Sequence, residues 1–202
     1  MNKIVIASNN PGKLREIGQL LSPLGIEVLA QSALSITEAE EPHASFVENA
    51  LAKARHAARQ SGLPALADDS GICVAALGGA PGVKSARLAG EPRSDLRNNE
   101  RLLELLASHD DRQAHYYCVM VLMRHGEDPQ PLIAEGEWHG EILRAAKGGG
   151  GFGYDPLFFD PVLGKTAAEL GSEVKNRVSH RGKALAGLWG HVSHFSNKVA
   201  AG

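Results

Sequence analysis

Apolar and polar positions follow one another along this chain in blocks that read as strand, loop and helix in turn. Residues 3–7 are a short apolar, β-branched run stopped by Ser8-Asn9-Asn10-Pro11-Gly12, the pattern of a buried strand and its exit loop. From Lys13 the apolar positions Leu14, Ile17, Leu21 and Leu24 recur with a helical period. Residues 27–30 read as a second strand. Ser45 and Glu48 have the spacing of a capping box and open a helix reaching about Gln60, with Val47, Ala50, Leu51, Ala54, Ala57 and Ala58 on its inner face. Asn49 and Lys53 lie four apart and share a face that points away from that stripe. Ala65-Leu66-Ala67 completes another strand, and Asp68-Asp69-Ser70-Gly71 has the composition of a turn.

Beyond that turn, residues 72–77 are strand-like, and Gly78-Gly79-Ala80-Pro81-Gly82 forms a loop leading to Ser85-Ala86-Arg87. Residues 94–107 form a helix with Leu102, Leu103, Leu105 and Leu106 in its core portion. Residues 113–124, dense in Tyr, Val, Met and Leu, are the longest strand candidate. His125-Gly126-Glu127-Asp128-Pro129 turns this strand back into residues 132–138, so an antiparallel hairpin makes the sheet mixed. Thr166 and Glu169 form a second capping box at the start of a short helix. Ser179 caps a final helix whose Leu185, Leu188, Trp189 and Val192 face inward. The expected architecture is α/β, in one domain spanning 1–202.

Composition narrows the function. With 202 residues, 43% apolar and 22% charged, the chain can bury one sizeable core or two small ones. A net charge of −2 argues against a general nucleic-acid binder. Cys73 and Cys118 each lie in an apolar run and read as buried thiols, which fits a reducing compartment. The first residues are too poor in apolar character for a signal peptide and no stretch is long enough to span a bilayer, so a soluble, cytoplasmic protein is expected.

Four stretches carry candidate chemistry. A strand, a small polar loop and a helix with Lys13 at its start can bind phosphate through free N–H groups, the helix dipole and a full positive charge. It is not a Walker A loop; the nearest imitation, Gly164-Lys165-Thr166, has Phe159 where the first glycine belongs. Asp68 and Asp69 place adjacent carboxylates at a strand's carboxyl end, where open α/β sheets hold ligands and where a divalent cation relieves repulsion. Gly148, Gly150 and Gly153 spell G-x-G-x-x-G, but Pro156 follows instead of a helix, which excludes a dinucleotide fold. Phe152 and Tyr154 in that loop offer flat faces for a base. Residues 173–181 gather Lys175, Arg177, His180 and Arg181, and the last two oppose the dipole in the first turn of the final helix, pointing to an anion or carbonyl beside them. His191 and His194 have H-x-x-H spacing without an acid or thiol partner and read as ordinary.

Seven of these segments, in order and over almost the whole chain, resemble the inosine/xanthosine triphosphate pyrophosphatases, the Ham1-like family. They are Ser8-Asn9-Asn10-Pro11-Gly12-Lys13, Phe46-Val47-Glu48-Asn49-Ala50, Ala67-Asp68-Asp69-Ser70-Gly71 and Gly78-Gly79-Ala80-Pro81-Gly82. To these are added Ser85-Ala86-Arg87, Gly151-Phe152-Gly153-Tyr154-Asp155-Pro156 and Ser179-His180-Arg181-Gly182. The resemblance implies an elongated central mixed sheet flanked by helices, two lobes with an active-site cleft between them, and a homodimer. It implies Mg2+-dependent hydrolysis of ITP, dITP and XTP to monophosphate and pyrophosphate, clearing deaminated purines, with no nucleic-acid or membrane partner. Asp69 is then the catalytic acid and a metal ligand, with Glu41 as its helper among Glu38, Glu40 and Glu41, and Asp68 is the alternative to Asp69. The substrate-binding residues implied are Ser8, Asn9, Asn10, Pro11, Gly12, Lys13, Lys53, Ser70, Phe152, Gly153, Tyr154, Asp155, Lys175, His180 and Arg181. Donors at His180 and Arg181 would satisfy the 6-oxo group of hypoxanthine or xanthine and reject the 6-amino group of adenine.

Overall fold

In the computed structural model, which describes residues 2–199 and the side chains of residues 2–190, strand and helix alternate much as the pattern predicts. The elements are β1 (Lys3–Ile6), α1 (Pro11–Leu21), β2 (Glu27–Ala30), α2 (Phe46–Ser61), β3 (Ala65–Val74), α3 (Asp95–Leu105), β4 (Gln113–Met123), β5 (Leu132–Ile142), β6 (Phe158–Asp160), β7 (Lys165–Thr166), α4 (Ser172–Val178) and α5 (His180–Val199). The strand order is β2-β1-β3-β4-β5-β6-β7. β1 pairs in parallel with β2 and β3, while β6 pairs antiparallel with β5 and β7, so the sheet is mixed as expected.

Several boundaries differ from expectation, each for a physical reason. α1 starts at Pro11 because Asn10 is its N-cap, accepting from the Lys13 N–H at 3.1 Å. It ends at Leu21, since Pro23 and the left-handed Gly25 turn the chain, and Leu24 is left exposed. Ser179 ends α4, its N–H donating to the Lys175 carbonyl, and with extended backbone (φ −69°, ψ 157°) it stands directly before His180, the first residue of α5. Val192, His191 and His194 lie outside the described side chains. The largest departure is β3, which runs straight through Asp68-Asp69-Ser70-Gly71 instead of turning there.

The chain divides into two compact units. The first comprises residues 1–69, 118–136 and 180–202. Its core joins Ile4 and Ile6 of β1, Ile17 and Leu21 of α1, Leu66 of β3, Met120 and Leu122 of β4, and Ala184, Leu185 and Leu188 of α5. Each fully buried Ile or Leu contributes roughly 1.5–3 kcal/mol by leaving water. At Gly136 on β5 an added Cβ would overlap the His180 carbonyl and the Ala184 N–H, so glycine lets the start of α5 rest on the strand.

The second unit comprises residues 70–117 and 137–179. Its core joins Ile72 and Val74 of β3, Leu102 of α3, Tyr116 of β4, Trp138 and Ile142 of β5, and Phe158 of β6. The Phe158 ring lies 4.6 Å from that of Tyr116 and 4.9 Å from that of Trp138. Trp138 donates its indole N–H to Asp160 at 2.8 Å, which satisfies the one polar atom of a buried ring.

Candidate active site

Adjacent residues of a strand project to opposite faces, so a straight β3 separates the two acids that the sequence presents as a pair. Each acid has its own direct partners, Lys13 and Arg181 on Asp68 and Lys53 and Asn49 on Asp69, while Lys13 and Lys53 act on both charges. Asp68 is 1% exposed and meets Lys13 from the first turn of α1 and Arg181 from the first turn of α5. The Arg181 Nε donates to Asp68 Oδ2 at 3.1 Å, and the Cys118 thiol donates to the same oxygen at 3.2 Å. Burial alone would raise this carboxyl, but Arg181, Lys13 and Lys53 outweigh it and hold it well below the usual carboxylate range. Arg181 is itself buried and its Nη1 donates to Glu16 of α1. The cations expected to seek an anion at the start of α5 therefore find protein carboxylates, at least through Arg181.

Asp69 faces α2. Lys53 Nζ donates to Asp69 Oδ1 at 3.0 Å and to Glu41 Oε1 at 2.6 Å, bridging the strand and the loop before α2. Asn49, one turn earlier on the helix, donates to Asp69 Oδ2 at 3.3 Å and fixes the preceding loop through the His43 N–H and carbonyl. Asn49 and Lys53 are thus buried, not solvated, although they lie off the apolar stripe. Their polar face is covered because the acids need partners there. Burial pushes the Asp69 carboxyl above its ordinary value, against the opposing pull of Lys53 and Lys13. For Lys53 burial disfavours the charge, yet Asp69, Glu41 and Asp68 together raise its pKa. Of the three acids in the 38–41 stretch, Glu41 is the one that shares a cation with Asp69.

The Ser8–Lys13 segment leads from β1 into the first turn of α1 in the same unit. Ser8 Oγ accepts from the Asn10 N–H at 3.2 Å, and the Asn10 cap occupies the Lys13 N–H, so Ser8, Asn9 and Asn10 form a preset loop ahead of Pro11 and Gly12, the first residues of α1. His180 is buried at the start of α5, next to Arg181.

The second unit collects the remaining predicted residues. Asp155 Oδ2 accepts from Lys175 Nζ at 2.5 Å and from the Phe152 N–H at 2.9 Å, while its Oδ1 accepts from the Tyr116 hydroxyl at 3.2 Å. Lys175 Nζ lies 5.0 Å from the centre of the Phe152 ring, a cation–π distance. The Tyr154 hydroxyl donates to the Ser85 carbonyl at 2.6 Å, and burial, with Asp95 adding to it, pushes that phenol well above its ordinary value. Ser70 is half-buried on β3.

This combination of buried lysines, acids and a helix-start loop has a match. Residues 4–191 fit the sequence model of the Ham1 family. The chain belongs to the Ham1 family. A dITP/XTP pyrophosphatase of Nitrosomonas europaea is 71% identical over 188 residues, 93% of each chain. Another, from Ralstonia nicotianae, is 64% identical over 98% of this chain and 100% of its own. Among solved structures, a HAM1 protein from Coxiella burnetii superposes with a TM-score of 0.87 at 49% identity, covering 96% of this chain and 100% of its own.

In this Ham1 chain Glu16, Tyr116 and Cys118, the last expected only as a buried thiol, each hold a site residue in place. Each lies in an otherwise ordinary helix or strand, and only Glu16 carries a signal, one turn after Lys13 on the same helix face. Among the described residues no helix is long and apolar enough to cross a membrane.

Proposed function

We propose that this Ham1 chain hydrolyses deaminated purine nucleoside triphosphates, ITP, dITP and XTP, to the monophosphate and pyrophosphate, removing them from the nucleotide pool. The observation that carries the reading is Lys53 bridging Asp69 and Glu41 while Lys13 and Arg181 hold Asp68. The relatives named dITP/XTP pyrophosphatase support it.

The metal we assign is Mg2+. Asp69 and Glu41 offer hard oxygen donors that converge on one ammonium, so a cation replacing or joining Lys53 meets both. Among the described residues no three acid, His or Cys side chains gather to hold a metal by themselves. Two carboxylates fit Mg2+, which keeps waters and phosphate oxygens as its other ligands. When bound, it would neutralise phosphate charge and acidify a coordinated water.

The chain's own residues do the rest. Lys13, at the head of α1, offsets triphosphate charge with the Ser8–Gly12 loop, and Lys53 orients the chain. Asp69 accepts the proton of the water that attacks the α-phosphorus, while the bond to the bridging oxygen breaks and pyrophosphate leaves. Burial raises the Asp69 carboxyl, which makes it a better base once ionised. Phe152, Gly153, Tyr154, Asp155 and Lys175 receive the nucleoside, with the Phe152 ring stacking on the base and Ser70 adding a hydroxyl. His180, beside Arg181, presents a donor to the 6-oxo group. We place all of this in one domain, 1–202, acting as a cytoplasmic homodimer on free nucleotides.

The test is pyrophosphate release from ITP, dITP, XTP, ATP and GTP with Mg2+, alongside Asp69→Asn. Rapid release from the first three, slow release from the others and a loss of about a hundredfold or more in the variant is the expected pattern. Equal turnover of all five would overturn the base reading. An undiminished Asp69→Asn would overturn the choice of acid.

A further inference from the structure

Gly153 is held by both of its backbone polar groups, and both partners are side chains of α3. Asp95 Oδ2 accepts from the Gly153 N–H at 2.6 Å, and Asn99 Nδ2 donates to the Gly153 carbonyl at 2.9 Å. Asp95 and Asn99 are four apart, so they lie above one another on one helix face. The Gly153 N–H belongs to the peptide plane that leaves Phe152, and its carbonyl to the plane that enters Tyr154. Two hydrogen bonds to one residue therefore fix the planes on both sides of it.

That control matters because Gly153 has φ +63°, a left-handed conformation that side chains rarely adopt, while nothing lies within 4 Å of an added Cβ. Glycine is there for its backbone freedom, and α3 removes that freedom again. Tyr154 has a separate anchor in its bond to Ser85, whereas the Phe152 ring is aimed by its backbone and by Lys175 above it. The helix does not need these two side chains for its own start. Ser94 caps it by accepting from the Arg97 N–H at 3.3 Å, and Asn98 fastens it to the 86–89 segment through the Ala86 carbonyl and the Ala89 N–H. Asn99 Oδ1 is buried and finds no donor, an unfavourable state that an apolar residue would avoid. The amide gains its bond to Gly153 in return.

We infer that Asp95 and Asn99 are positioning residues for the nucleobase: they lock the Phe152-Gly153-Tyr154 backbone and thereby hold the Phe152 ring ready to stack. This rests on the assignment of residues 152–155 to the nucleoside. The test uses the full chain and two ligands, dITP as substrate and inorganic tripolyphosphate, which has no base, as competitive inhibitor. In Asp95→Ala and in Asn99→Ala the KM for dITP rises about tenfold, the loss of one hydrogen bond, while inhibition by tripolyphosphate and kcat stay within about threefold. Asp95→Asn retains an acceptor and restores the KM. Ser94→Ala weakens the helix start without touching Gly153 and leaves both constants unchanged. Phe152→Ala raises the dITP KM at least as much as either clamp variant.

An unchanged dITP KM in both clamp variants, with Phe152→Ala still impaired, overturns the positioning role alone. Equal weakening of dITP and tripolyphosphate, or a Ser94→Ala as impaired as the others, shows a merely structural helix and overturns it too. An unimpaired Phe152→Ala overturns the nucleoside assignment and the inference with it.

Discussion

Replacing Arg181 by methionine removes a buried guanidinium of similar length and leaves Asp68 and Glu16 facing each other's charge. At the 3.1 Å separation of Nε and Asp68 Oδ2, one unit pair is worth about 5 kcal/mol at an effective dielectric near 20. Lys13 still faces Asp68, so part of that is retained, and the expected loss is about 3 kcal/mol, the lower end for breaking one partner of a buried pair. The assay is urea unfolding followed by circular dichroism and tryptophan fluorescence at neutral pH, with Arg181→Met, Asp68→Asn and the double variant. If the pair itself carries the effect, removing the second partner costs little more, and the cycle gives a coupling of roughly 2–3 kcal/mol. Additive losses, with a coupling below about 0.5 kcal/mol, would refute the argument that Asp68 and Arg181 neutralise one another.

The pH dependence follows from the same carboxylate. The folded-state value of Asp68 lies well below 3.8, so its contribution is present above that pH and is lost as pH falls through the folded value. Asp68→Asn should therefore flatten the acid limb of a plot of melting temperature against pH, and an unchanged limb would contradict the shift. Gly136→Ala forces a methyl against the His180 carbonyl and should cost about 1–3 kcal/mol in urea unfolding; a neutral result would mean that α5 is free to move off the strand. Burial, with Asp68 adding to it, pushes the Cys118 thiol well up, whereas Cys73 is only half-buried. Ellman's reagent should label one thiol in the native protein and none in Cys73→Ser, and rapid labelling of both would refute the buried Cys118. Cys118→Val should lose about 1–2 kcal/mol through the bond to Asp68, and Cys118→Ser less.

Local rules were enough for much of this protein. The helical period of Ile17 and Leu21, the Ser45–Glu48 cap and the dense apolar run of β4 are short-range properties, and the elements they predict are present. The ordered motifs also pointed to the family, because residue type and spacing are all that a family match needs. What the sequence misjudged were positions where local preference and distant partners disagree. Asp68-Asp69-Ser70-Gly71 favours a turn when taken alone. Lys13, Arg181 and Cys118 on Asp68, and Lys53 and Asn49 on Asp69, make the extended strand better by neutralising buried carboxylates. Those partners come from up to 113 residues away along the chain, and no window of sequence contains them together. The same is true of Asn99, whose use is set by a glycine 54 residues later. The chain by itself decided which residues could carry charge, cap a helix or line a core. Only the tertiary structure decided which charge each acid would meet, since burial makes an ion choose a partner and the fold determines which ones are within reach.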